Sequence, residues 1–379
     1  MVTLKNTIMK VEDDLKFRQF ADQRSLKPST IKKYVTDFGI YTKVTGLTLT
    51  ELITEAREEQ KKIEYEDERK VTKYLLDYKQ HLKEIGRGDY SIKNAIISVK
   101  GFYNHFKIQT PKMNISAVPS TYYLNVDELP KHKDIKLIFK HCDIRFKALV
   151  SHLASSGMSI SDTLDLKVYD LFKAVNYHGN DVNSLNDLYQ LHENDKSLIP
   201  VWKSKRTKNQ NPYVTFTTPE AFGCLIDYLK FSTPNTEDSY LFRRYDVDGK
   251  LGYSTVAKKF ATLNEKSKMD DKKVGSSRFI TAKAMRTFFA ITLEQCKVPD
   301  QHIRRMMGHT QRGIRQSYQK LDISLLLEFY LTAIDALTFS KKVQVIDHTA
   351  EIVKKQDAKI ENLEAMVSAL MEDKLKGNK

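Results

Sequence analysis

The sequence predicts a mostly α-helical protein with one small β-sheet, and three observations lead there. Apolar residues recur at helical spacing in segment after segment, several of them bounded by a proline or a glycine. Strand-like alternation is clearest in LIPVWKSKRTKNQNPYVTFTTPEA (198–221), where a basic turn divides it into two strands. From Ile346 onward, Ile346, Val353, Ile360 and Val367 recur at seven-residue spacing, with Leu363 and Leu370 at the matching positions. With 379 residues, the chain can form two domains with sizeable cores and a short appendage.

Taken in order, residues 1–112 read as a helical domain. Pro28 opens a helix, Ile31, Tyr34, Phe38 and Tyr41 form one stripe, and Gly46 ends it. TLTELITEAREEQ and the stretch from Tyr74 to Leu82 supply two more helices. DYSIKNAIISVKGFYNHF repeats the pattern through Ile92, Ala95, Ile96, Val99, Phe102, Tyr103 and Phe106, giving a four-helix unit. Residues 113–130, within a proline-containing run of little periodicity, read as a linker. Residues 131–340 form the second domain. Its helix IRFKALVSHLASSG leads into MSISDTLDLKVYDL, and a polar stretch from Asn176 to Lys196 reads as a surface insertion. After the strand pair, Pro219 to Phe231 and Tyr253 to Lys266 are helices, and a basic stretch of flexible character follows. ISLLLEFYLTAIDAL is a further amphipathic helix. Residues 341–379 form a C-terminal helix, either a parallel coiled coil or an amphipathic helix folded on its own chain.

Cys142, Cys224 and Cys296 are widely spaced without a CxxC pair, which argues against a disulfide framework or a structural zinc site. The most apolar run is interrupted by Glu328 and Asp335, so a soluble protein with no membrane partner is expected. A net charge of +14 predicts attraction to a polyanion, nucleic acid first.

Chemistry concentrates in KAMRTFFAITLEQCKVPDQHIRRMMGHTQRGIRQSY (283–318). Lys283 and Arg286 lie three apart on one helix, Gly308 and His309 at a helix end, and Tyr318 nine residues past the histidine. An arginine can grip a phosphate through two parallel hydrogen bonds, while lysine and histidine add charge and proton mobility. The set therefore suits attack of a tyrosine on a phosphodiester, and that chemistry needs no metal or cofactor. As ordinary structure, Arg286 would be part of a solvated face, His309 a helix cap and Tyr318 an amphipathic contact. Order and spacing together favour the chemical reading.

KAMR, MGH and a tyrosine nine residues later resemble the tyrosine recombinase (integrase) family, most of all the integrases of archaea and their viruses. The family motif is His or Lys, two residues, Arg, then Leu-Gly-His, then the nucleophilic Tyr. The resemblance implies a helical core-binding domain and a catalytic domain that form a clamp around double-stranded DNA. Lys32, Lys33, Lys43, Lys93, Lys100 and Lys203 would contact phosphates. Tyr318, Arg286, His309 and Lys283 would be catalytic, and Lys208 on the hairpin, with Lys205 second, would protonate the departing 5′-oxygen.

Gly157, Met158 and Asp162 match the family's first catalytic box, but Ser159 stands where its arginine is expected. Ser159 and Asp162 make a capping box instead. Deleting one transition-state donor costs on the order of 100-fold or more. Either another arginine, Arg206 or Arg145, fills the place, or the enzyme is slow. The resemblance further implies a homo-oligomer, a tetramer on paired sites, in a cytoplasmic, nucleoid-associated setting and encoded by a virus or integrated element. Two other classes fit: a recombinase-fold DNA-binding protein that has lost the chemistry, and a type IB topoisomerase-like enzyme.

Overall fold

The computed structural model describes residues 10–114, 128–245, 249–275, 277–309 and 322–340. Tyr318, most of the expected linker and the heptad segment lie outside the described residues. The chain divides into two compact units, Met1–Tyr123 and Leu124–Lys379.

Among its described residues the first unit holds five α-helices where periodicity suggests four: α1 (Leu15–Gln23), α2 (Pro28–Thr45), α3 (Leu49–Lys62), α4 (Lys70–Glu84) and α5 (Asp89–His105). The additional helix is short and depends on a cap. Asp14 accepts hydrogen bonds from the N–H groups of Lys16 and Phe17, and also from Thr50 N at 3.0 Å and Thr50 Oγ1 at 2.9 Å. One carboxylate thus starts α1 and ties it to α3. On α3, Thr48 and Glu51 cap each other reciprocally. Pro28 and the left-handed Gly46 bound α2 as the sequence predicts. Phe20, Phe38 and Phe102 pack edge-on or tilted with centroids 5.1–6.3 Å apart. Each such ring contributes about 1.5–3 kcal/mol by leaving water.

The second unit is built around α7 (Ile144–Ser156), which is buried on nearly every side, its small or aromatic polar residues Ser151, His152, Ser155 and Ser156 included. Around it lie α6 (His132–Phe139), α8 (Ile160–Asp165), α9 (Val168–Asn176), α10 (Leu185–Asn194), α11 (Pro219–Phe231), α12 (Tyr253–Lys266), α13 (Ala282–Gln295), α14 (Asp300–Met306) and α15 (Ile323–Ala333). Strands β1 (Val201–Lys205) and β2 (Pro212–Phe216) pair antiparallel, with Val201 opposite Phe216 and Lys205 opposite Pro212.

Two expectations need correction. The supposed surface insertion contains α10, whose Leu188 and His192 are buried, the imidazole lying edge-on against Phe222 at 5.2 Å. The supposed flexible stretch before α13 contains a small hairpin, β3 (Lys273–Val274) and β4 (Ser277–Arg278). Asn264 anchors the chain just beyond it, accepting from Ile280 N at 2.9 Å and donating to Ile280 O at 2.8 Å. That clamp sets where α13 begins. Among the described residues no helix is long and apolar enough to cross a membrane.

Candidate active site

The site forms where the ends of α7 and α14, the start of α8, one face of α13 and the β1–β2 turn meet. Gly157 ends α7 and Gly308 follows α14, both in the left-handed conformation, at φ 62° and 66°. Both approaches are closed to a side chain. A Cβ at Gly157 would lie 2.2 Å from the Phe289 ring of α13, and one at Gly308 would lie 2.8 Å from Arg206 Cδ and from Tyr213 Cδ1.

Arg286 projects from α13 into this junction. It donates to the carbonyl of Gly157 through Nη1 and to the carbonyl of Met307 through Nη2 at 2.6 Å. Carbonyls at helix C-termini carry partial negative charge, so both are suited to hold a cation. Arg206 reaches the same Met307 oxygen through Nη1 at 2.9 Å. Its Nε lies 3.2 Å from Asp162 Oδ2, close enough for charge pairing but not aligned as a hydrogen bond.

Asp162 is the hub. Its Oδ1 accepts from Thr207 N at 2.9 Å, and its Oδ2 accepts from the Tyr213 hydroxyl at 3.4 Å. Ser159 Oγ caps α8 by accepting from Asp162 N at 3.2 Å. The cap is therefore one-sided: the Asp162 side chain serves the hairpin.

These fields act on one another. Burial first, and the neighbouring Arg206 second, pull the Arg286 guanidinium down to about 10. His309 keeps an exposed face, yet its imidazole is held below its usual range. Partial loss of water is the larger cause, followed by the charges of Arg286 and Arg206. Tyr213 is pushed up by burial and then by the Asp162 carboxylate, so its phenol stays protonated.

The remaining expected residues scatter around this centre. Lys283 is exposed one turn before Arg286 on α13. Lys208 is exposed in the β1–β2 turn, and Lys205 is exposed at the end of β1. Lys203 lies 4.6 Å from the Tyr177 ring, on the same outward face of β1 as Lys205. Arg145, the other candidate for the missing arginine, is engaged elsewhere: it stacks 3.8 Å from the Tyr245 ring and donates to Arg243 O at 2.9 Å.

In the first unit, Lys32 and Lys43 are exposed on α2, and Lys93 is half-buried on α5. Lys33 is tied to Asp37 at 2.7 Å and Ser98 at 2.6 Å, and Lys100 to Pro111 O at 2.6 Å. Sequence reasoning did not assign Thr207 or Tyr213 to the site. Their contact with Asp162 spans 45 and 51 residues, which no local spacing encodes. Among the described residues no His, Cys, Asp or Glu group is arranged to hold a metal ion.

No protein-family model matches the chain. An inferred tyrosine recombinase of Caldanaerobacter subterraneus subsp. tengcongensis is 27% identical over 116 residues, covering 27% of this chain and 39% of that protein. The match thus spans well under half of that relative's length. Among solved structures, a lambda integrase dimer bound to a COC′ core site aligns with TM-score 0.53 and 12% identity, over 81% of this chain and 78% of the other. A lambda integrase tetramer bound to a Holliday junction aligns with TM-score 0.52 and 11% identity, over 86% and 78%. At these identities the likeness shows a shared, mostly helical fold with a small β-sheet.

Proposed function

We propose that this chain is a site-specific tyrosine recombinase that cleaves and rejoins double-stranded DNA through a 3′-phosphotyrosine intermediate. The observation that carries this reading is the convergence of Arg286 and His309. They lie 23 residues apart in sequence, yet Arg286 bonds the carbonyl two residues before His309, and its charge acts on that imidazole. A scaffold shared with lambda integrase, a partial match to an inferred tyrosine recombinase and the charge of +14 support the same reading.

In this mechanism the Tyr318 oxygen attacks the scissile phosphorus, a Tyr–O–P bond forms and the P–O5′ bond breaks. A phenol has a pKa of about 10, so its proton must leave as it attacks, with Lys283 or a neighbour as acceptor. Arg286 and His309 hold the non-bridging oxygens, whose charge grows in the transition state. Lys208 gives the 5′-oxygen its proton. The free 5′-hydroxyl of a partner strand then reverses the steps, and the phosphotyrosine conserves the bond energy without a cofactor. Exchange between two duplexes calls for a homo-oligomer on paired sites, and the lysines of α2 and α5 would grip phosphates.

Tyr318→Phe tests the assignment, because only the attacking oxygen is removed. On a duplex selected by covalent capture on the wild-type protein from a random-sequence pool, the variant should bind nearly as well yet give no covalent adduct. Tyr330→Phe should still form it, since the Tyr330 hydroxyl is buried and donates to Ser155 O at 3.0 Å. An adduct that persists in Tyr318→Phe refutes the nucleophile. A wild-type protein that binds duplex but captures none would instead make it a recombinase-fold DNA-binding protein.

A further inference from the structure

The β1–β2 turn gives the site a second guanidinium that the catalytic motif does not contain. The Arg206 backbone is fixed on both sides of its Cα: its N–H donates to Asn211 O at 2.9 Å, and its carbonyl accepts from Gln210 N at 2.7 Å. The next residue locks the turn onto α8, where Thr207 N reaches Asp162 Oδ1 at 2.9 Å and Thr207 Oγ1 reaches Asp165 Oδ2 at 2.9 Å. The Arg206 side chain is only 16% exposed, and its methylenes lie where a Cβ at Gly308 would stand. It therefore sits in one place before any ligand arrives, as a donor to a transition state must.

Charge points to what it meets. Arg206 and Arg286 share one acceptor, Met307 O, while the Asp162 carboxylate pairs with Arg206. Two guanidinium groups against one carboxylate leave an excess of positive charge beside His309, and like charges held this close favour an anion between them. A phosphodiester carries one negative charge and gains another as the nucleophile adds. Ser159, at the position where an arginine is expected, is occupied in capping α8. Arg145 is committed to Tyr245 and Arg243.

We propose that Arg206 is a catalytic residue, the second arginine on the scissile phosphate, supplied by the β1–β2 turn in place of the first-box arginine that Ser159 replaces. The proposal rests on the recombinase reading above, and it deepens that reading by completing the phosphate grip. Asp162 keeps the role of an acidic partner to that arginine, now facing a neighbour from the hairpin.

The test uses the full chain and the duplex captured by wild-type protein, in two forms: one with an ordinary scissile phosphate and one with a neutral methylphosphonate there. Arg206→Ala should slow adduct formation on the phosphodiester by about 10²–10³-fold. On the methylphosphonate, which has no charged oxygen to neutralise, it should stay within about tenfold of wild type. Adding Ser159→Arg to Arg206→Ala should recover part of the loss, whereas Ser159→Arg alone should give no gain, because the place is taken.

A purely structural role would cost both substrates alike. Equal loss on both, or cleavage of the phosphodiester at the wild-type rate, overturns the proposal. If Arg206→Ala does not fold, Arg206→Lys keeps the charge facing Asp162 and is read by the same comparison. Failure of wild-type capture would sink the recombinase reading itself, so the two failures are distinguishable.

Discussion

At the scale of single residues, the site depends on glycines as much as on charges. Gly308 takes φ 66°, and a methyl group there would meet Arg206 and Tyr213 at 2.8 Å. Gly308→Ala should therefore displace the arginine as well as strain the turn. The left-handed backbone alone costs a non-glycine residue about 1–2 kcal/mol. We expect the variant to fold with a modestly lowered melting temperature while adduct formation falls at least tenfold. The comparison that decides is Gly46→Ala, which has the same strain at φ 72° but nothing within 4 Å of the new methyl. Equal loss of cleavage in the two variants would show that strain, and not the approach of Arg206, is responsible. Gly308 and His309 are legible in the sequence because they are adjacent there. Arg206 and Asp162 meet across 44 residues, and no spacing rule chooses Arg206 over Arg145.

At the scale of elements, α7 is held to the β1–β2 sheet through a buried histidine. His152 lies edge-on to Trp202 with centroids 5.0 Å apart. Its Nδ1 is 3.2 Å from Thr217 Oγ1, which also accepts from Trp202 Nε1 at 2.6 Å. Nε2 is buried without a hydrogen-bond partner. Burial pulls this imidazole down to about 3. The folded form therefore resists a proton that the unfolded chain accepts near pH 6.5. The resulting stability is fully present above about pH 6.5 and is lost as the pH falls towards 3. The loss is on the order of 1.4 kcal/mol per pH unit. Trp202 is the chain's one tryptophan, so its fluorescence during denaturant unfolding reports this unit. In His152→Gln the acid limb between about pH 6 and 4 should be shallower by roughly one proton. Parallel limbs in the two proteins would exclude His152 as the cause.

The same scale shows what patterns carry and what they miss. Pro219–Phe231 and Tyr253–Lys266 are helices over the expected spans, because proline or glycine marks each start and an apolar stripe follows. Helix α10 carries an apolar stripe as well, Leu185, Leu188, Tyr189 and His192 at helical spacing behind the Ser184 cap, with Leu185 and Tyr189 partly buried against the core, but the polar residues between them mask it. The Phe222 ring against which His192 packs lies 30 residues beyond it, which no local pattern encodes.

At the scale of the whole molecule, the net charge of +14 is the property most exposed to experiment. Part of it is internally spent. Lys33 and Arg87 face Asp37, and Lys100 is held by a backbone carbonyl, so these cations give up local partners to reach a phosphate. Lys32 and Lys43 are exposed and carry no such cost. Each phosphate neutralised on duplex DNA releases condensed counterions, so log K falls with log salt at a slope of about −0.9 per contact. On the function proposed above, a protein making on the order of 6–10 such contacts should lose about 10³–10⁵ in affinity between 50 and 200 mM salt. Fluorescence anisotropy on a labelled duplex gives the slope directly. Lys32→Ala and Lys43→Ala should each make it shallower by about one unit, equally on captured and arbitrary sequences, since phosphate contacts position without reading bases. Lys33→Ala should change it less, because its ion pair with Asp37 must break before it can bind. A slope near zero for the intact protein would remove duplex DNA as the partner. A full slope that Lys32→Ala and Lys43→Ala leave unchanged would move the phosphate grip off α2.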